Sequence, residues 1–183
     1  ALANPGTRYR LMITAVLISI NWLLYVWSIA HGHVIDASLG YFINPLLSVV
    51  LGVAFFRERL RRLQWVSVGL AAAGVFYLTA ALGAPPRIAL SLAGSFGTYG
   101  LLKKVAPLSA VQGLALETGI LAAPAAAYLA SAELSGAGAL FHSGLRRDLL
   151  MLSAGPVTTL PLLLFAAGVK RIPLSLVGML QYI

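Results

Sequence analysis

The sequence predicts an all-α membrane protein, a polytopic helix bundle with six spans and part of a seventh. Three observations lead there. Hydrophobic residues make up 60% of the chain and charged residues only 10%, against roughly 25% charged in a soluble domain. The apolar residues fall in runs near the ~20 residues a helix needs to cross hydrocarbon. The charges fall between those runs.

Residues 11–30 are charge-free and follow Arg8 and Arg10, giving the first span. Residues 37–56 are the second, ending at Arg57-Glu58-Arg59-Leu60-Arg61-Arg62. Residues 63–82 are the third, closed by the breaker Gly83-Ala84-Pro85-Pro86. Residues 88–102, before Lys103-Lys104, are a shorter fourth element, either a span or a re-entrant segment. Residues 110–132 are the fifth and hold one charge, Glu117. A polar, glycine-containing loop covers 134–148, residues 149–169 are the sixth span, and a seventh follows Lys170-Arg171. Backbone groups cannot go unpaired in lipid, so such spans are helices or closed barrel strands. Barrel strands alternate polar and apolar positions, and Leu46-Leu47-Ser48-Val49-Val50-Leu51 does not.

Charge placement gives an orientation. With every run a span, Arg8, Arg10, Arg57, Arg59, Arg61, Arg62, Lys103, Lys104, Lys170 and Arg171 share one side. Arg87, Arg146 and Arg147 share the other. A re-entrant fourth element weakens that bias, so the positive-inside rule favours a spanning one and a cytoplasmic start in the inner membrane. The net charge of +8 is spread over loops rather than gathered on one patch, so nucleic acid is not an expected partner. Having no cysteine, the chain makes no disulfide, thiolate nucleophile or Cys-based metal site. The HExxH, GxSxG, P-loop and dinucleotide motifs are missing too. Neither an enzyme nor a cofactor is expected, and ATP-driven pumping gets no support. Because the chain opens on Ala1 and stops inside an apolar run, it is expected to be a piece of a longer protein.

A weak internal repeat sharpens that expectation. The first span and the start of the second overlay the sixth and the start of the seventh at a constant offset of 140 residues, with Leu23/Leu163, Leu24/Leu164 and Ile43/Ile183 identical. The offset is an odd number of spans, so the copies run in opposite directions, a common plan of secondary transporters. The parent then has ten spans in two inverted five-helix repeats. Residues 1–82 hold the last three helices of the first repeat, 83–87 the linker, and 88–183 the first three helices and part of the fourth of the second. Two helices are expected before Ala1 and one and a half after Ile183.

Polar residues recur on single helix faces: Thr14, Asn21, Tyr25 and Ser28; Ser38, Tyr41, Asn44 and Ser48; Ser91, Ser95 and Thr98 or Tyr99; Glu117, Pro124 and Tyr128; Ser175, Gly178 and Tyr182. These faces either line a shared polar cavity or join helices through bonds worth about 0.6 kcal/mol each. Larger polar groups need more partners, and the candidate substrate-binding residues are Asn21, Tyr25, Tyr41, Asn44, Tyr99, Glu117, Gln181 and Tyr182. Pro45 removes a backbone bond inside the second span and frees the carbonyl of Tyr41 beside Asn44. Glu117 is the one acidic residue within a span, and a buried ionisable group there is a functional candidate by default: it carries a coupling proton, binds a cationic group, or pairs with Lys103 or Lys104. His31, His33 and Asp36 read better as interfacial caps than as metal ligands, since no third nitrogen is near.

The stretch NWLLYVWSIAHGHVIDASLGYFINPLLSVVLGVAFFRERLRRLQW, from Asn21 to Trp65, resembles the RarD-type permeases of the EamA family, in the drug/metabolite transporter superfamily. SFGTYGLLKK from Ser95, LETGILAAP from Leu116 and GMLQYI from Gly178 are similar to later family segments, in order. The resemblance implies a ten-helix bundle with a central cavity, and secondary transport of small molecules, metabolites or drugs, across the cytoplasmic membrane. The alternative is a non-transporting integral-membrane subunit of a larger complex. The expected partners are a small-molecule substrate, the lipid bilayer and a coupling proton.

Overall fold

Each apolar run forms a helix, and most of the helices overshoot the run into the flanking charges. The computed structural model describes residues 5–83, 85–138, 141–142 and 144–183. The described residues form seven helices: α1 (Pro5–Ala30), α2 (Val34–Phe56), α3 (Arg62–Leu82), α4 (Arg87–Val105), α5 (Ala110–Leu134), α6 (Leu145–Arg171) and α7 (Leu174–Leu180). Five of them, α1, α2, α3, α5 and α6, are long and apolar enough to cross a membrane. The overshoot takes in Arg8 and Arg10, Lys103 and Lys104, and Lys170 and Arg171. Long basic side chains bury their stems and reach for polar groups, so a helix can carry them past the end of its apolar run.

Local chemistry fixes the ends. α2 stops where Arg57 enters the left-handed region at φ 53°, a strained position for a non-glycine residue. The N–H of Glu58 then reaches back to the carbonyl of Gly52 at 3.3 Å. α5 begins with a reciprocal cap: Ser109 Oγ accepts from the Gln112 N–H and Gln112 Oε1 accepts from the Ser109 N–H, both at 3.2 Å. The loop expected over 134–148 is shorter than the sequence indicated. Asp148 belongs to the first turn of α6, where its carboxylate accepts from the Phe141 N–H at 2.9 Å. Residues 139, 140 and 143 of that loop, Ala84 of the 83–87 linker, and residues 1–4 lie outside the described residues.

α2 packs most extensively against α4 and α7, and α4 also packs on α1 and α6. α4 is therefore the central post, burying Ala89, Leu92, Ala93, Gly97, Tyr99, Gly100 and Lys103. α3 leans on α2 and buries none of its residues. At the base of the bundle Val169, Leu174 and Val177 form a core with Leu51, Phe56, Leu101, Phe165 and Ile172 packed around it.

The tightest seam joins α2 and α7, which run antiparallel: the Tyr182 hydroxyl meets the Phe42 carbonyl, Gly178 lies against Pro45 and Ser48, and Ser175 lies against Gly52. A methyl group on Gly178 would stand 2.5 Å from the carbonyl oxygen of Pro45. That contact is with backbone, which cannot swing aside. Gly178→Ala is therefore expected to destabilise the full-length protein by about 1–3 kcal/mol, read as a lower melting temperature in detergent. On α5 a methyl at Gly119 meets nothing within 4 Å, so Gly119→Ala should leave the melting temperature unchanged or slightly higher.

Candidate functional site

A cavity of about 510 Å³ lies among the middles of the helices. α1 contributes Asn21, Trp22 and Tyr25; α2 contributes Tyr41 and Asn44; α4 contributes Leu92 and Phe96; α6 contributes Thr158, Pro161 and Phe165; Gln181 closes it just after α7. Among the described residues no charged side chain lines it. The Tyr25 and Tyr41 rings meet edge to face with centroids 5.5 Å apart. Asn21 Nδ2 donates to the Leu92 carbonyl and to Ser95 Oγ, both at 2.9 Å. Asn44 is 8% exposed and its Nδ2 donates to Gln181 Oε1 at 3.2 Å. Its Oδ1 finds no partner among the described residues.

One turn further along α4 the chemistry changes. Glu117 of α5 is 1% exposed, and three groups converge on its carboxylate. The Thr14 hydroxyl donates to Oε1 at 2.5 Å, the Tyr99 hydroxyl donates to Oε2 at 3.2 Å, and Lys103 Nζ lies 2.9 Å from Oε2. Lys103 is 2% exposed and also faces the Tyr99 ring. A lone charge buried this deeply costs several kcal/mol, and here each ion has the other, with two hydroxyls to complete the carboxylate. Phe96 stands between the two regions, its ring 4.7 Å from Phe165 and 5.9 Å from Tyr99.

The same end of the bundle holds a second set of charges. Glu58 takes the N–H of Leu174 on Oε1 and the N–H of Ser175 on Oε2, both at 2.8 Å. It thereby caps α7, whose first amides have no partner within the helix. Lys104 Nζ, 3.7 Å from Glu58, donates to the carbonyls of Val169 at 3.2 Å and Ile172 at 2.7 Å. Lys170 returns the favour from α6, donating to the carbonyls of Ala106 and Leu108 beyond the end of α4. Both lysines sit at C-terminal helix ends, where the aligned peptide dipoles favour positive charge.

The eight candidate residues thus divide. Asn21, Tyr25, Tyr41, Asn44 and Gln181 line the cavity. Tyr99 and Glu117 do not; they belong to the ion-paired network, and of the two lysines considered, Lys103 and not Lys104 is the partner. Tyr182 lies outside the lining too, its hydroxyl donating to the Phe42 carbonyl at 2.7 Å. Tyr128, expected on one face with Glu117, is 73% exposed, because α5 leaves the bundle after Glu117. Ser38 is also exposed and, among the described residues, bonds back to the Val34 carbonyl. At the α1–α2 corner His31 and His33 stack on Trp27, with centroids 4.6 and 5.7 Å away, and His33 Nδ1 lies 3.4 Å from Asp36. Glu58 escaped the sequence reading; its signal was an acid set among four arginines, with Pro173-Leu174-Ser175 opening a helix elsewhere.

Such a bundle, with a polar and aromatic cavity above a charge-paired base, defines a polytopic helical membrane protein with an internal cavity. Residues 2–80 match the EamA-like transporter family. The chain is 45% identical over 181 residues to a protein of Streptomyces exfoliatus named protein RarD, with 99% of this chain and 58% of that one covered. It is 50% identical to the uncharacterized transporter YojE of Bacillus subtilis, covering all of this chain and 61% of the relative. Protein RarD of Escherichia coli is 43% identical, with all of this chain and 62% of the relative covered. The chain is similar to RarD-named proteins and uncharacterized transporters along nearly its whole length, and it spans about three fifths of the length of the curated relatives it matches. No solved structure matches it.

Two outcomes follow from the charged base. Lys103→Met strands the Glu117 carboxylate and is expected to destabilise the protein by about 3–5 kcal/mol. Adding Glu117→Gln should recover most of that loss in the same denaturation assay. For Glu58, burial works against the charge, but the hydrogen bonds from Ser175 and Leu174 and the Lys104 ammonium outweigh it and hold the carboxyl below its ordinary value of 4.5. Its contribution is therefore complete above that pH and lost as pH falls through the lowered folded value. Glu58→Gln should flatten the acid limb of a stability–pH profile.

Proposed function

We propose that the protein is a secondary transporter, a permease moving small molecules across the cytoplasmic membrane by alternating access. The observation that carries this reading is the cavity, on which Asn21, Tyr25, Tyr41, Asn44 and Gln181 converge from separate helices, above an end closed by paired charges. The match of residues 2–80 to the EamA-like transporter family, and the similarity to proteins named as transporters, support it at the coarser level of a membrane transporter.

In this reading the substrate sits between the Asn44–Gln181 amides and the Tyr25–Tyr41 pair. The charged end faces the cytoplasm, in keeping with the bias of Lys and Arg, and the state described is closed on that side. Opening it requires Glu58 to release the α7 amides and Lys104 to release Val169 and Ile172. Glu117 is the proposed site of the coupling proton: protonation takes away the counter-charge of Lys103, and the buried ammonium left behind favours a state that admits water.

The proposed scaffold is a pair of inverted repeats divided at 83–87. The offset of 140 residues equates Phe42 with Tyr182, and those two residues touch where α2 and α7 pass antiparallel. Repeats related by a two-fold axis in the membrane plane meet themselves at equivalent positions near that axis, so this contact supports the division.

Reconstitution of the full-length protein in liposomes tests the reading. At least one member of a panel of amino acids, metabolites and phenicols is expected to move under a proton or substrate gradient. No movement of any candidate under any gradient overturns transport. Glu117→Gln is expected to abolish the pH dependence of uptake, and an unchanged dependence leaves Glu117 a structural residue. For orientation, single cysteines placed in a cysteine-free background of the full-length protein report sidedness: a cysteine at Arg59 should react from the cytoplasm and one at Gly136 from the opposite face.

A further inference from the structure

We propose that the α2–α3 connector binds an anionic phospholipid, whose phosphate is held by Arg57, Arg59, Arg61 and Arg62 and whose acyl chains lie along the adjoining ends of α2 and α3. The first observation is that these four cations have no counter-charge in the chain. All four are exposed, and none has an ion-pair partner among the described residues. The chain has five acids, and each is engaged elsewhere. Asp36 lies beside His33, Glu117 holds Lys103, Glu133 meets His142, and Asp148 takes the Phe141 N–H. Glu58 sits in the connector itself, but its two oxygens take the α7 amides and its nearest cation is Lys104. Like charges crowded into one short connector repel one another, and an anion bound among them relieves that repulsion.

The second observation is the kind of cation. The lysines of the chain, Lys103, Lys104 and Lys170, are all used inside the fold, on Glu117 or on carbonyls near the ends of α4 and α6. The connector holds only arginine. An orientation signal needs no more than positive charge, which lysine supplies as well. A guanidinium adds a planar fork of donors that matches two oxygens of a phosphate.

The third observation places that phosphate on a lipid. α2 and α3 are both long and apolar enough to cross a membrane, so the connector between them lies at the bilayer boundary. Large apolar side chains border the arginines on either side, Phe55 at 66% exposure before them, Leu63 at 81% and Trp65 at 54% after them. Tryptophan favours the depth of the headgroups. α3 buries none of its residues, so its first turns offer acyl chains an open wall. A free phosphate engages the arginines alone, whereas an anionic phospholipid complements both the charge and the apolar flanks. Basic clusters beside a span attract lipids of this charge.

The test is a titration of delipidated full-length protein in dodecyl maltoside, with bound ligand counted by native mass spectrometry. Three ligands are compared: dioleoylphosphatidylglycerol, dioleoylphosphatidylcholine, which keeps the chains and phosphate without net charge, and glycerol 3-phosphate, which keeps the phosphate without chains. Phosphatidylglycerol is expected to bind at least about 10-fold more tightly than either of the others. The combined substitution Arg59→Gln, Arg61→Gln and Arg62→Gln, which spares the left-handed Arg57, should bring it down to the phosphatidylcholine level. Arg146→Gln with Arg147→Gln, at the opposite end of the bundle, should leave the preference unchanged. Equal binding of the two lipids by the unaltered protein, or glycerol 3-phosphate binding as tightly as phosphatidylglycerol, overturns the proposal without recourse to any variant. So does an undiminished preference in the triple variant, or an equal loss in the Arg146 and Arg147 variant. Lipid binding and substrate movement are separate readouts, and failure of either leaves the other standing.

Discussion

A polar group withdrawn from water into hydrocarbon must find its partner inside the protein, and nearly every feature of this bundle follows from that constraint. It makes the apolar runs helical, since a helix pairs its backbone within itself. It also shapes the bonding at the charged end, where Lys103 Nζ makes no hydrogen bond among the described residues and relies on its ion pair with Glu117. Lys104 has three ammonium protons and finds two carbonyls and a carboxylate. Glu58 has two oxygens, and each takes a backbone N–H of α7. Glu117 has Thr14, Tyr99 and Lys103 around it. Side chains that the sequence offers as topology signals are, once folded, the fasteners of one end of the molecule.

The middle of the bundle obeys the same rule around a cavity. The cavity walls are aromatic rings and amides that bond one another sparingly, with Asn44 Oδ1 left over. Phe96 joins the two regimes, touching Phe165 beside the cavity and Tyr99 beside the ion pair. The Phe96 ring lies 5.9 Å from the ring whose hydroxyl holds Glu117. The cavity wall and the ion pair thus share Phe96 as a packing neighbour, without a long chain of intermediaries.

The helices were legible because length and charge-free composition suffice to identify them, and five of the eight candidate residues meet in the cavity for a simple reason: large polar groups on helix faces turn inward. The remainder was hidden by the geometry of crossing. On α1 Thr14 and Asn21 lie on one stripe, and on α4 so do Ser95 and Tyr99. Where the stripes meet at Asn21 and Ser95 they border the cavity; at Thr14 and Tyr99, two turns away on α1 and one on α4, α5 brings in Glu117. A periodicity records which side of a helix is polar, but not what a third helix delivers to it. Tyr128 makes the same point from the opposite direction, sharing a face with Glu117 on a helix that has already left the bundle. Glu58 was obscured differently, because its partners are backbone amides 116 and 117 positions later, which no side-chain pattern announces.

The exchanged lysines have one more consequence. Lys104, at the end of α4, terminates α6, and Lys170, at the end of α6, terminates α4. Neither helix owns its own stop. Fraying one end withdraws the ammonium that keeps the other from fraying, so the two termini melt or hold as a single cooperative unit. A bundle whose helices are otherwise rich in alanine and leucine thereby has its two helix ends tied to each other by charge at one end.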